Sequence, residues 1–89
     1  MYNPTSPKLT DVELKYNEMR REETLVQLYE LLELIPNYKN INIKGVTLNT
    51  NIVEDWIYII SRSQDKSFLT LVNSIQENID SAMEQIQRK

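Results

Sequence analysis

The sequence predicts an all-α fold: an antiparallel helical hairpin or a three-helix arrangement that carries an extended N-terminal arm and oligomerises through helix packing. Three observations predict it. A helix-start signal at Thr10 and Glu13 precedes apolar residues recurring at steps of three and four. A second recurrence of that kind, Phe68, Val72, Ile75, Ile79, Met83 and Ile86, runs to the end of the chain. No proline or glycine interrupts residues 51–89.

Residues 1–9 read as an extended arm, because Pro4 and Pro7 each remove an amide donor and restrict the residue before them. Residues 10–89 read as one helical domain. The first helix, 10–35, starts where Thr10 caps the first turn and Glu13 reaches back to the Thr10 amide, with Leu9 and Leu14 flanking as a hydrophobic staple. Val12, Tyr16, Met19, Leu25, Leu28, Leu32 and Ile35 then follow at helical spacing, and Pro36 with Asn37 ends the element. Its halves differ. Arg20, Arg21, Glu22 and Glu23 are all charged, and with Glu18 they read as a solvated face with i, i+4 pairing. From Leu25 to Ile35, by contrast, eight of eleven positions are apolar, so this half is buried on more than one side.

A connector, 36–49, alternates Ile41, Ile43, Val46 and Leu48 with polar residues around Gly45, the one glycine of the chain. It reads as an ordered loop with one face on the core, within reach of a short strand pair turning near Gly45. The next helix, 50–62, is capped by Thr50 or Asn51, with Glu54 placed to complete a box from Asn51. Ile52, Val53, Trp56, Ile57, Ile59 and Ile60 are its apolar set. The polar run from Ser61 to Ser67 is either a break with Ser63 or Asp65 as a fresh cap or the exposed middle of one long kinked helix; the uninterrupted sequence favours the latter. The last helix, 64–88, carries the narrow Phe68–Ile86 seam.

Composition excludes much chemistry. Cysteine and histidine are both absent, which removes disulfides, thiolate and imidazole metal sites, thiol nucleophiles and imidazole bases. One glycine cannot build a phosphate loop. Glu54 and Asp55 are neighbours and point to different faces of a helix. We therefore expect a non-enzymatic protein with no cofactor. The net charge of −3 argues against a duplex nucleic acid partner. No apolar run approaches the roughly 20 residues of a membrane span, and residues 1–8 lack the pattern of a signal peptide, so a cytoplasmic chain is expected.

A domain of this size buries only roughly 60 to 65 % of its unfolded surface, and small domains of this kind gain stability from disulfides, metals or partner chains. A partner chain is what the composition leaves. The expectation is a homo-oligomer or a helical protein partner, with Leu28, Leu32, Phe68, Val72, Ile75, Ile79, Met83 and Ile86 at the interface.

Aromatic rings next to cations are the candidate binding residues. Tyr16 and Arg20 lie one turn apart, and Trp56 precedes Arg62 on the second helix. A ring that stacks on a base beside a guanidinium that forks onto a phosphate suits a nucleotide. Core packing is the other reading, and it is the stronger one for Trp56 among Ile and Val. Tyr16, Arg20 and Arg62 are taken as the ligand-binding candidates.

The order of features resembles the phage hairpin-domain proteins that sequester cyclic oligonucleotide signals and blunt bacterial CBASS and Thoeris immunity. The stretches that resemble the family are Tyr2, Asn3 and Pro4; Tyr16 to Arg20; Pro36; and Leu48 to Glu54 with Trp56 to Arg62, spanning residues 2–62. Departures from the family pattern are Ile and Tyr around the Trp in place of small residues, a Trp-to-Arg spacing one residue short, and a longer connector. The resemblance implies an anti-defence sponge: a homo-oligomer of hairpins in which tyrosines and arginines of two subunits enclose a cyclic oligonucleotide without turning it over. The alternative from the residues alone is a structural coiled-coil or helical-bundle subunit of a hetero-oligomeric complex.

Overall fold

The computed structural model describes residues 10–38 and 40–88. The predicted arm, residues 1–9, lies outside the described residues, as does Leu9 of the staple. The helix α1 spans Asp11–Leu34 and ends in a 3-10 turn, Ile35–Asn37. Two short strands follow, β1 (Asn42–Ile43) and β2 (Val46–Thr47), and then α2 (Thr50–Arg62) and α3 (Phe68–Gln87).

Both halves of the capping box form at the start of α1: the Glu13 amide donates to Thr10 Oγ1 at 3.1 Å, and the Thr10 amide donates to Glu13 Oε1 at 2.8 Å. Pro36 sits where the helix tightens into its last turn. The connector is a hairpin rather than an ordered loop without strands. Asn42 pairs with Thr47 and Ile43 with Val46, antiparallel, across a two-residue turn. Lys44 (φ 52°) and Gly45 (φ 85°) both occupy the left-handed region, as a type I′ turn requires. The Gly45 amide donates to Asn42 Oδ1 at 2.9 Å. Asn42 in turn is held by α3: its amide donates to Gln85 Oε1 at 2.8 Å, and its carbonyl accepts from Gln85 Nε2 at 2.7 Å.

Helix α2 begins at Thr50, as expected, but neither Thr50 nor Asn51 is its cap. Asn49 is the cap, accepting from the Ile52 amide at 3.0 Å, and Glu54 belongs to a groove described below. The uninterrupted second half of the chain does not form one kinked helix. Helix α2 stops at Ser63, whose ψ of 130° is extended, and α3 starts five residues later at Phe68. Asp65 shapes the turn: its Oδ1 accepts from the Ser67 amide at 3.0 Å and from the Ser67 hydroxyl. These bonds offer the backbone a partner outside a helix ladder, which is how Ser and Asp runs interrupt helices without glycine or proline.

Cross-helix bonds give the topology. Arg21 of α1 reaches the Ile60 carbonyl near the end of α2, so α1 and α2 run antiparallel. Arg20 meets Asn73, and Thr24 meets Gln76, so α1 and α3 run parallel. The core lies between the three helices and one face of the hairpin: Leu28, Leu31, Ile35, Ile41, Ile43, Leu48, Val53, Ile60, Phe68, Val72, Ile75, Ile79, Ala82 and Ile86.

The residues expected at an oligomer interface are core, or packed against it, within one chain. Leu28, Phe68, Val72, Ile75, Ile79 and Ile86 are at most 8 % exposed within one chain, and Leu32 and Met83 are partly buried against the same cluster. The seam of α3 packs within its own chain, against α1, α2 and the hairpin. Periodicity reports that a helix face is covered; it does not report which element covers it. What stays exposed is a different set, including Val12, Leu14, Met19, Val26, Tyr29, Tyr58 and Ile59. No helix among the described residues is long and apolar enough to cross a membrane.

Candidate ligand-binding groove

The α1–α3 contact is unusually polar for a small core. Thr24, fully buried, donates from Oγ1 to Gln76 Oε1 at 3.2 Å, and Gln76 bonds Gln27. One turn earlier Arg20 donates to Glu23 at 2.8 Å and to Asn73 Oδ1 at 3.3 Å. Its side chain is 19 % exposed. Arg21 is turned the other way. It bonds Glu18 at 3.0 Å, donates to the Ile60 carbonyl, and lies 4.5 Å above the Phe68 ring centroid. Glu18, Glu22 and Glu23 of the charged run are exposed, as a solvated face requires, but Arg20 and Arg21 are not. Both arginines fold over neighbouring helices, and their acidic partners sit three residues away rather than four.

These contacts decide the fate of the three candidate residues. Tyr16 is half-exposed and borders a hollow between the start of α1 and the start of α3, with Val12, Glu13, Asn17, Lys66 and Leu69. Arg20 is turned towards α3 and engaged by Glu23 and Asn73. Arg62 lines a separate, open groove between α1 and α2, with Tyr29, Leu32, Glu54, Ile57, Tyr58 and Ser61. One chain does not bring the three together. Trp56 packs partly buried against the core, beside the hairpin.

The groove holds two aromatic residues that the reading of the sequence missed. Tyr29 and Tyr58, on facing antiparallel helices, are both more than half exposed. The Arg62 guanidinium lies 4.4 Å from the Tyr58 ring centroid, an arrangement that fixes a flexible cation on a rigid plate. Among the described residues Arg62 has no carboxylate within ion-pair distance. A signal for this pair was present in the sequence: Tyr58 and Arg62 have the same spacing as Tyr16 and Arg20. Tyr29 carried none, since only the antiparallel packing of α1 on α2 delivers it.

The groove can offer two ring faces, one set of guanidinium donors and one carboxylate, Glu54. The only carboxyl group of the described residues whose pKa is clearly displaced is elsewhere. Glu13 is held below the usual range by the Thr10 amide that it caps, with Lys66 adding a smaller pull. No group of three or more His, Cys, Asp or Glu side chains among the described residues is arranged to hold a metal ion. Comparison with protein families, curated proteins and solved structures finds no match to this chain.

Proposed function

We propose that this chain is a non-enzymatic binding protein whose α1–α2 groove takes a planar, anionic ligand, and that cyclic nucleotide signals are the class it sequesters. The observation that carries the reading is Arg62 stacked on Tyr58, uncommitted to any described carboxylate, with Tyr29 facing it across the groove. A base stacks between rings of this kind while a phosphate accepts from the guanidinium. Glu54 at the same groove suits the exocyclic amine of a purine, which donates where a second phosphate would be repelled. Two copies meeting along their exposed tyrosines would enclose a cyclic ligand on both faces, as the resemblance implies. The support therefore moves from Tyr16 and Arg20 to Tyr58 and Arg62.

Calorimetry with a panel of cyclic di- and trinucleotides tests this. Saturable binding is expected, weakened about tenfold or more by Arg62→Gln, since a hydrogen bond to a charged group contributes about 1.5 to 3 kcal/mol. Absence of heat across the panel would end the reading.

One observation favours the second reading, a structural subunit of a hetero-oligomer. Val12, Met19 and Val26 are exposed and spaced by seven residues along α1, a spacing that suits a partner helix. On that reading the isolated chain is loosely folded and gains a cooperative melt only when its partner is added.

A further inference from the structure

Two buried side-chain oxygens, Asn17 Oδ1 and Asn78 Oδ1, have no hydrogen-bond partner, and Asn17 is the more buried residue. It sits on α1 facing inward, 5 % exposed, and its Oδ1 has no hydrogen-bond partner. An acceptor in that state carries a desolvation cost that folding does not recover. The same side chain borders the hollow in which Val12, Tyr16 and Leu69 form apolar walls. That hollow measures about 310 Å³, at the lower end of the range for small-ligand pockets. Glu13 and Lys66 also line it, one charge of each sign, so the hollow favours neither an anion nor a cation.

We propose that this hollow is a second ligand site, distinct from the Tyr29–Tyr58–Arg62 groove, and that it takes a small neutral heteroaromatic ring bearing one N–H donor. The ring lies against Val12, Tyr16 and Leu69. The N–H points to Asn17, whose Oδ1 is sealed from the hollow as it stands; the broad terminal torsion of an asparagine lets the amide turn and present it. The donor satisfies an acceptor already stripped of water, so the bond carries selectivity for a donor-bearing ring over one that lacks it.

The test uses indole and 1-methylindole, which share the ring and differ in the donor. Titrated into the full 89-residue chain, indole is expected to give saturable amide shifts at Tyr16, Asn17 and Leu69. The methylated ring is expected to bind about tenfold more weakly. Leu69→Trp, which fills the hollow from a partly buried position, abolishes both shifts. Asn17→Leu leaves both ligands binding with equal strength. The proposal is overturned if indole gives no saturable shifts at these residues, if the two rings bind equally to the unaltered chain, or if Asn17→Leu keeps the difference. The first two outcomes need no variant to fold. Cyclic nucleotide binding at Arg62 is read by shifts at Tyr58 and Arg62, so either site can fail without the other.

Discussion

Replacing Arg21 by Met tests whether this side chain ties the three helices together. Met keeps an unbranched apolar stem over Phe68 and removes the guanidinium. Three interactions go with it. The Ile60 carbonyl, in the last turn of α2 where helix carbonyls lack intrahelical donors, loses its partner in a half-buried place, at about 1 to 2 kcal/mol. The cation 4.5 Å above Phe68 is lost, at about 0.5 to 1 kcal/mol. The Glu18 pair adds no more than about 0.5 kcal/mol, because Glu18 is 65 % exposed and water screens it. The expected cost is about 2 to 3 kcal/mol, a fall in Tm of roughly 10 to 20 °C for a domain of this size. Urea titration followed by circular dichroism reads the free energy, with Glu18→Gln as the companion variant. The reasoning is refuted if Arg21→Met lies within about 0.5 kcal/mol of the unaltered chain, or if Glu18→Gln costs as much, since the ion pair would then be the larger effect.

Three further outcomes are expected. Ile79→Ala should cost about 2 to 5 kcal/mol in urea titration, independent of protein concentration, because Ile79 is core within one chain and its loss opens a cavity. In the hairpin, Gly45→Ala should cost about 1 kcal/mol through its φ of +85° although the space around it is open, and Lys44→Asn should stabilise by a few tenths of a kcal/mol, both by thermal melting. Glu13 has a folded pKa below its unfolded one, so its contribution is complete above the unfolded value and is lost as pH falls through the folded value. Amide exchange in the first turn of α1 should therefore accelerate, relative to Glu13→Gln, as pH drops below about 4.3.

Much of the fold was legible because it is written in local chemistry. The Thr10–Glu13 box, Pro36 and the alternation around Gly45 each act within a few residues, and each appears where its residues stand. The break after Arg62 was harder to read. Ser63, Asp65 and Ser67 are compatible with an exposed helix face as well as with a turn, and part of what ends α2 is Arg21, distant in sequence, bonding the Ile60 carbonyl. The α3 seam was legible as a buried stripe, but its cover was assigned to another copy. The cover that α1 supplies was hidden because its contact face mixes Arg20, Thr24 and Gln27 with Leu28 and Leu31. The same mixing misdirected the site. Arg20 carries the residue type that a nucleotide needs, yet its donors are committed to Glu23 and Asn73, and spacing along one helix cannot show that commitment.

Gln85 gives the two-stranded ribbon something the ribbon lacks. A lone pair of strands ends in open backbone groups to which any extended peptide can add itself. By meeting the N–H and C=O of Asn42 with the two ends of one side-chain amide, α3 imitates the neighbouring chain at that position. The outer margin of β1 is thereby closed at Asn42 to recruitment of a second molecule, and a helix guards the sheet against fibril growth at that point.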